Sequence, residues 1–405
     1  MAWWPRWLPR SLTARDRGLY ESFGGSDTWA GEHVSPEGAL NLSAFWAATR
    51  VKAQTVASLS LEVFEVQSDG TRVRVPSHPL SMILHDSPNA DQTPLEFWAG
   101  RVLGLCTRGN GFAEKRFNSR GSLVSLNAMP ADTAVERRES GLWYTFHDRG
   151  KTVSLPEEKV LHIRAFGDGD VGMSPVEYAR QTLGIAIASE RAAGQVFSKG
   201  LRTKGFFTFP GTLTPDQRDQ ARKNFADRYS APNAPGIGIL EAGVDFKPVN
   251  ITPKDAELIL SRRFNVEEIC RWMGVPPILI GHSAEGQTMW GTGIEQIMQG
   301  WLTLSLRSEL KNIEQAVFKR VFTPAERLRY RVKFNVEDLL RGDSTKRSAF
   351  YVALLNAGVM TINEVRRLEG LPPVEGGDVP RMQMQNVPIT EAAGGLPRES
   401  ANVDS

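Results

Sequence analysis

Residues 174–200 read SPVEYARQTLGIAIASERAAGQVFSKG, and they predict the first of two long helices around which the fold is built. Ser174 can cap this helix, Pro175 suits its first position, and Glu177 can return the capping hydrogen bond. The interior is rich in alanine, and Gly200 can end the helix. The stretch therefore predicts a helix over residues 175–199 whose small side chains allow close packing.

A second long helix is predicted over residues 253–273. It follows Thr252 in the sequence TPKD, which has Asp where a capping box has Glu or Gln. It ends at Met273 because the next residues are GVPP, and proline lacks a backbone donor and restricts the residue before it. The two helices enclose a compact insertion with strand-like runs at 205–209 and 236–240 and a helix over 215–229.

The rest of the chain predicts mixed structure, so the expected fold class is α+β. Before the first long helix, the patterns indicate a helix at 41–57, a strand at 59–66 that enters a turn, and a helix that begins at the sequence TPLE, residues 93–96. After the second, they indicate a long helix at 293–322, a half-buried strand at 327–334, and a helical segment at 336–368. Two further capping boxes, TPDQ at 214–217 and TPAE at 323–326, predict helix starts at Thr214 and Thr323.

Both ends of the chain lack helical or alternating periodicity. Residues 1–39 mix tryptophan, proline, arginine and glycine, which predicts a flexible arm. Aromatic and basic residues together also occur in membrane-surface anchors, but the interleaved prolines disfavour the amphipathic helix that such anchoring needs. Residues 381–405 are rich in Pro, Gly, Gln and Ser and predict a disordered tail.

Composition places the chain among soluble globular proteins. It has 405 residues, of which 41% are hydrophobic and 23% charged, and its formal net charge is only +2. That charge does not indicate a tight nucleic-acid binder. Two cysteines are too few for a disulfide framework, which predicts a reducing cytoplasm, and no apolar run suggests a membrane span or a signal peptide.

The sequence contains no recognisable catalytic, cofactor or metal constellation, so we expect neither an enzyme nor a cofactor. Phosphate-binding glycine motifs are absent, and the closest approach to a serine-nucleophile elbow, GHSAEG at 281–286, has its second glycine one position late. The histidines are scattered. The acidic stretch FGDGDVG at 166–172 could be imagined as a cation site, but its three glycines favour a tight turn.

Charged residues alternate with apolar ones in the strand predicted at 327–334. This places Arg327, Arg329, Arg331 and Lys333 on one face. A solvated face is the simpler interpretation, and contact with nucleic acid is the alternative.

Several blocks in a fixed order resemble the portal proteins of tailed bacteriophages, particularly long-tailed phages of the Hong Kong-type capsid lineage. The resemblance covers residues 41–378. It is carried by Asp168-Gly169 followed by Gly172-Met173-Ser174-Pro175; by Met273-Gly274-Val275-Pro276-Pro277; by Phe334-Asn335 followed by Asp338-Leu339-Leu340-Arg341-Gly342-Asp343; and by Asn356 to Glu364 followed by Gly370-Leu371-Pro372-Pro373 and Gly376-Gly377-Asp378.

The resemblance implies a portal fold that assembles as a ring, with the chain divided into named regions. These would be a wing at 40–173, a first stem helix at 174–199, a clip at 200–252, a second stem helix at 253–273, a tunnel loop region at 274–292, a long wing helix and strand at 293–335, and a crown at 336–380. The implied channel-facing residues are His282, Ser283, Gln287, Thr288 and Trp290, although an ordinary surface loop is the alternative for this segment.

The resemblance also implies the partners and the location. We expect a homo-oligomeric ring of about a dozen subunits at one capsid vertex of the virion, assembled in the bacterial host cytoplasm, with double-stranded DNA passing through it. Terminase would dock during packaging, a head-tail adaptor afterwards, and the major capsid or scaffold protein would surround the ring. No membrane is expected. The alternatives are a portal of a gene transfer agent or defective prophage and, from another class, a nucleic-acid-processing enzyme.

Overall fold

The computed structural model describes residues 28–167, 169–198, 205–208, 214–217, 219, 245–248, 254–282, 292–336 and 344–380. The chain forms two compact units. The first comprises residues up to 58 together with 62–333, and the second comprises 59–61 together with the residues from 334 onward.

The first unit begins with a helical layer. Its helices are α1 Pro36–Leu40, α2 Ser43–Ser58, α3 Pro79–Ser81, which continues into a π turn at Met82–Asp86, and α4 Pro94–Arg108. Helix α2 packs on α4. Helix α4 begins with a complete capping box in which Thr93 and Glu96 exchange hydrogen bonds, and it ends at Gly109, whose φ of +74° is the left-handed conformation that glycine adopts without strain.

Three small antiparallel sheets accompany these helices. Their strands are β1 Leu61–Val66, β2 Arg72–Arg74, β3 Asn110–Phe117, β4 Leu123–Ala128, β5 Ala134–Arg138, β6 Gly141–Asp148, β7 Lys151–Pro156, β8 Val160–Arg164 and, far along the chain, β11 Tyr330–Phe334. The strand orders are β11-β1-β2, β4-β3-β8 and β5-β6-β7. Phe112 of β3 and Tyr144 of β6 share one buried apolar cluster, which joins the last two sheets.

The long helices follow the sheets. They are α5 Pro175–Tyr178, α6 Arg180–Ser198 and α7 Lys254–Met273; α6 packs against α7, and α2 packs on α7 as well. Between α6 and α7, strands β9 Gly205–Thr208 and β10 Asp245–Pro248 pair antiparallel with Gly205 opposite Pro248. A nearly continuous helix then follows, made of α8 Thr292–Trp301, a π turn at Leu302–Leu306 and α9 Arg307–Arg320, and α9 packs on β8.

In the described residues of the second unit, the helices are α11 Ser344–Asn356 and α12 Ile362–Leu368. Asn363 is almost fully buried and fastens the chain that follows α12. Its Nδ2 donates to the Val374 carbonyl and to the Asp378 carboxylate at 2.9 Å each, and its Oδ1 accepts from Val374 N at 2.8 Å.

Most of the predicted helix starts are confirmed. Ser174 accepts a hydrogen bond from Glu177 N, and Thr214 and Thr323 each make the reciprocal exchange with the residue three positions later. The predicted end of the second long helix at Met273 is also confirmed. The start of that helix, the strand predicted at 236–240 and most of the helix predicted at 215–229 lie outside the described residues.

The helices predicted over 175–199 and 293–322 are confirmed over the described residues, although a turn at Ala179 divides the first and a π turn widens the second. Two other predicted elements were wrong in their boundaries. The strand predicted at 327–334 starts only at Tyr330, because the Thr323 cap first opens a helical turn, α10 Glu326–Arg329. The segment 336–368 is broken at Gly358, whose φ is +68°, and α12 begins anew with a capping box between Thr361 and Glu364.

The flexible arm predicted for residues 1–39 was wrong for its last part. Residues 28–39 are ordered: Thr28 and Ala39 are buried, and Pro36–Leu40 is helical. Their ordering depends on contacts with α6, more than 150 positions away in the chain, which local patterns do not reveal. Residues 1–27 and the tail predicted at 381–405 lie outside the described residues.

Candidate functional site

The antiparallel pair of α6 and α7 positions every feature of the candidate site. Trp272 of α7 donates from Nε1 to Thr182 Oγ1 of α6 at 3.2 Å, and Asn265 Nδ2 reaches Ser189 Oγ at 3.4 Å. Small residues make the pairing close, as the alanine content predicts: Ala186 and Ala193 of α6 are buried. The pair therefore has a fixed register, with Thr182 level with Trp272.

A tight turn at Thr28 packs on another face of α6. Thr28 Oγ1 donates to the Glu32 carbonyl at 3.0 Å and accepts from Glu32 N at 3.1 Å, which closes the turn. The turn fits against Gly184, because a Cβ at that position would lie only 2.5 Å from Thr28 Oγ1. Trp29 N donates to Gln181 Oε1 at 3.0 Å, yet the Trp29 side chain is 88% exposed.

The C-terminal end of α7 forms the floor of an open apolar groove of about 510 Å³. Gly274, with φ +63°, ends the helix in a Schellman motif: its N–H bonds the Arg271 carbonyl and Val275 N bonds the Cys270 carbonyl. The Gly274 carbonyl then accepts from Trp301 Nε1 at 2.9 Å and from Ser305 Oγ at 2.7 Å, which fastens the π turn to α7.

The groove lining is mostly apolar and comes from both sides of this junction. It includes Val275, Pro276, Pro277, Ile297, Trp301 and Leu304, together with Glu267 of α7. Leu304 lies in the π turn and is 85% exposed. The sequence alone did not predict this groove, because the hydrophobic period of residues 293–322 does not reveal where one helical turn widens.

Of the predicted channel residues, only His282 lies within the described part of the chain. Its Nε2 is 3.6 Å from Glu267 Oε1, and it also lines a smaller cavity of about 240 Å³ with Asn265 and Ser43. Ser283, Gln287, Thr288 and Trp290 lie outside the described residues. The assignment of these five residues to a channel therefore stays a prediction.

Among the described histidines, His162 has the most strongly shifted pKa, but its contacts are those of a buried core residue. Its Nε2 lies 2.9 Å from Asn110 Oδ1 and its Nδ1 lies 3.2 Å from the Tyr144 hydroxyl, so both ring nitrogens of a neutral imidazole have partners. Burial, reinforced by Arg164 and Arg320, lowers the pKa of His162 to about 3. The imidazole is a neutral core group, and its ring centroid lies 4.5 Å from that of Phe112 with the two planes tilted by 33°.

The glycine-rich stretch at 166–172 is a turn, as its composition favours. Gly172 N donates to Asn110 Oδ1 at 2.8 Å, and a Cβ at Gly172 would lie 2.1 Å from the Gly109 carbonyl oxygen. Asp170 is bound by Arg137, whose Nε donates to it at 2.7 Å, and Asp168 lies outside the described residues. Among the residues that the structure describes, no group of three or more His, Cys, Asp or Glu side chains could hold a metal ion.

Neither cysteine is placed as a nucleophile. Cys106 and Cys270 are both buried and unpaired with each other. Burial raises the pKa of the Cys106 thiol to about 12 and that of Cys270 to about 11, which keeps both protonated at neutral pH.

The basic face predicted for the strand at 327–334 does not form as expected. Arg327 lies in α10 and donates from Nε to the Phe322 carbonyl at 3.0 Å, while Arg329 pairs with Glu65. Arg331 donates to the Arg327 and Tyr330 carbonyls and lies 5.2 Å from the Phe318 ring centroid. These guanidinium groups bind the protein itself, so contact with nucleic acid through an alternating face is not supported.

Within the described ranges, none of the helices has the length and apolar character that crossing a bilayer requires.

Solved structures share this fold. The crystal structure of an HK97 family phage portal protein from Corynebacterium diphtheriae matches with a TM-score of 0.56 at 20% identity, covering 77% of this chain and 99% of that one. The neck of a native gene transfer agent particle, computed with C12 symmetry, matches with a TM-score of 0.56 at 20% identity, covering 89% of this chain and all of the matched chain (100%). The fold is thus one used by structural proteins of phage-type particles.

Sequence similarity is more specific. The sequence model of the family described as phage portal protein matches residues 43–370. The portal protein of Enterobacteria phage HK97 is 34% identical over 362 residues, which cover 88% of this chain and 85% of that protein. The probable portal protein of Streptomyces phage phiC31 is 31% identical over 366 residues, which cover 86% and 78% of the two chains. The chain belongs to the phage portal protein family, and its resemblance to the HK97 lineage is confirmed.

Proposed function

We propose that this portal protein forms a ring of about twelve subunits at one vertex of the capsid and that double-stranded DNA passes through its axial channel. The match to the portal family over residues 43–370 carries this proposal. The neck of a native gene transfer agent particle, which shares the fold and was computed with C12 symmetry, supports the subunit number. Assembly would take place in the bacterial host cytoplasm.

We assign the regions of the ring to the elements described above. Helices α6 and α7 are the two stem helices, because they form an antiparallel pair that brackets residues 200–252. Those residues are the clip, and the pairing of β9 with β10 at its base supports a separable insertion. The wing comprises residues 40–173 with the α8–α9 run and β11, and the crown is residues 336–380.

We assign the segment between α7 and α8 to the tunnel loop. His282, Ser283, Gln287, Thr288 and Trp290 would face the DNA, with hydroxyl and amide groups that hydrogen-bond phosphates without fixed positive charge. Weak contacts suit a conduit, because each phosphate neutralised by Lys or Arg adds affinity and DNA must slide. The net charge of +2 agrees with a guide of this kind.

The ring would act with partners that supply energy and attachment. Terminase would dock at the clip during packaging, a head-tail adaptor would replace it afterwards, and the major capsid or scaffold protein would surround the wing. A portal of a gene transfer agent is the second candidate, which the fold match to gene transfer agent particles favours. Neighbouring genes would distinguish the two.

Electron microscopy of the purified full-length chain tests the ring directly. We expect closed rings with a central hole and subunits related by rotation, because a portal must enclose DNA. The protein should be imaged over a range of concentrations, with sedimentation velocity on the same samples. A particle that stays monomeric at the highest concentration would contradict the proposal.

A further inference from the structure

An exposed indole and an open apolar groove lie on opposite flanks of the α6–α7 pair. Thr182 and Trp272 face each other across the pair, and Gly184, which contacts the Thr28 turn, lies two residues after Thr182. Cys270, which lines the groove, lies two residues before Trp272. Successive residues of an α-helix are about 100° apart around its axis. Gly184 is therefore about 200° from Thr182 on α6, and Cys270 is about 200° from Trp272 on α7. The Thr28 turn and the groove therefore lie on opposite sides of the pair.

The two features also lie at the same level along the helices. Trp29 is bonded to Gln181, adjacent to Thr182, while the groove lining runs from Glu267 to Pro277, on either side of Trp272. A rotation about an axis parallel to the pair preserves this level. In a ring, the projecting feature of one subunit would then meet the recess of the next at matching height.

Trp29 is a projecting side chain on a rigid support. The turn that carries it is closed by two hydrogen bonds of Thr28, and Glu32 of the same turn pairs with Arg191 of α6 at 2.7 Å. This support holds the backbone of Trp29, so only the two side-chain torsions of the 88% exposed indole would have to be fixed when a partner buries it. Tryptophan is enriched among the residues that contribute most to protein contacts.

The groove is a preformed recess of suitable size and chemistry. Its floor is fixed by the two hydrogen bonds to the Gly274 carbonyl, and its volume of about 510 Å³ is ample for one indole. Exposed Leu304 lies at the edge of the groove and would cover the inserted indole. Glu267 is the one carboxylate of the lining, and it offers the acceptor that an indole N–H needs when it is buried.

We propose that Trp29 of one subunit inserts into the groove of the next subunit, between α7 and the π turn. This contact rests on the proposed ring and names the residues that build it. One projection and one recess on opposite flanks make a heterologous contact, which repeats around a ring when the rotation closes. The occupant is a second copy, because Trp29 lies on the far flank from its own groove.

Cross-linking tests the contact without disturbing the fold, since Trp29 and Leu304 are both strongly exposed. A chain with Trp29→Cys and Leu304→Cys, treated after assembly with a short bis-maleimide, should give a ladder of covalent oligomers. A mixture of the two single variants should give dimers and nothing larger, because each chain then carries one introduced thiol. Trp46→Cys with Leu304→Cys is the matched control and should give no ladder. All variants carry Cys270→Ala, because Cys270 lines the groove beside Leu304, and Cys106 is buried outside that lining.

Assembly equilibria provide a second measurement. Trp29→Ala and Leu304→Arg should each raise the subunit concentration for half-maximal ring formation by about 30-fold or more, as expected for a central tryptophan contact. The control Trp46→Ala removes a different tryptophan, which is half-exposed, and should leave assembly unchanged. The double variant Trp29→Ala with Leu304→Arg should raise this concentration by less than the product of the two single increases, because both substitutions remove the same contact.

The outcomes separate this contact from the proposed ring. Wild-type chains that form no rings would overturn both. Wild-type rings that give no ladder, with Trp29→Ala assembling like Trp46→Ala, would overturn the contact and leave the ring intact. A ladder from the Trp46→Cys control as strong as that from the Trp29→Cys pair would also overturn it.

Discussion

Asn110 shows how much of the fold can depend on one side chain. Its Oδ1 accepts from Gly172 N and meets His162 Nε2, and its Nδ2 donates to the carbonyls of Arg108 and Gly172. It thereby ties together the end of α4, strand β8 and the glycine turn that precedes α5. Glycine is needed at position 172 of that turn, because a Cβ there would lie 2.1 Å from the Gly109 carbonyl oxygen.

The buried His162 makes stability depend on pH. Its pKa in the folded protein is about 3, whereas an unfolded histidine has a pKa of about 6.5, so the unfolded chain binds the extra proton in between. The stability that neutral His162 contributes to the folded protein is therefore complete above pH 6.5 and is lost progressively as the pH falls towards 3. We expect the free energy of unfolding to fall by about 2 kcal/mol between pH 8 and pH 5 from this group alone.

Urea unfolding of wild type and His162→Gln at pH 8 and pH 5 measures the contribution. The variant is less stable at pH 8, and its difference from wild type should shrink by about 2 kcal/mol at pH 5, because glutamine does not titrate. His147→Gln is the control, since His147 is exposed, and it should keep the wild-type pH dependence. A constant difference between His162→Gln and wild type at both pH values would disprove the prediction.

At the scale of the element, the sequence predicts what local chemistry determines. The helix starts at Thr93, Ser174 and Thr323 and the helix end at Met273 follow from caps, glycine and proline, which act within a few residues. The break between α11 and α12 also has a local cause, since the sequence TINE at 361–364 is a capping box that follows a glycine helix end. This capping box could have been used to divide the helical segment predicted at 336–368 into two helices.

Other elements depend on distant partners and could not be predicted from one sequence. The turn at Thr28 is ordered by its fit against Gly184, and its tryptophan had no periodic neighbours to mark it. Strand β10 is short and needs β9 to pair with. The portal family could be recognised from scattered blocks, but the groove beside Gly274 required the three-dimensional position of the π turn.

Deletion of residues 214–235 tests the clip as a separable element. Because Gly205 pairs with Pro248 and Thr208 with Asp245, the two strands at the base of the insertion are retained in this deletion. We expect helical content by circular dichroism and ring formation to be unchanged, while binding of terminase or adaptor is lost. Rings of the deleted chain that bind terminase as tightly as wild type would refute the clip assignment.

At the scale of the whole molecule, the proposed role as a DNA conduit requires weak contact with DNA. A chain with 48 basic and 46 acidic residues presents little net attraction to phosphates, and a ring multiplies any contact by the number of subunits. A small increase in positive charge at the channel should therefore have a large effect.

Replacement of Gln287 and Thr288 together by lysine tests whether their loop faces DNA. We expect assembled rings to package DNA more slowly or to stall, most severely at low salt, where the added attraction to phosphates is least screened. Gln67→Lys with Thr71→Lys makes the same pair of changes in the exposed turn after β1 and should package at the wild-type rate. Equal packaging rates for the tunnel-loop variant and wild type at low salt would rule out the channel assignment.

The π turn at Leu302–Leu306 also has an evolutionary consequence. A π turn holds one residue more than the α-helical turn it replaces, so one inserted codon is enough to create such a turn in a helix. Deletion of one residue here would rewind residues 292–320 into an uninterrupted α-helix and turn Leu304 by about 100° relative to the residues on one side of it. The recess beside Gly274 is therefore a feature that a change of a single codon can create or remove.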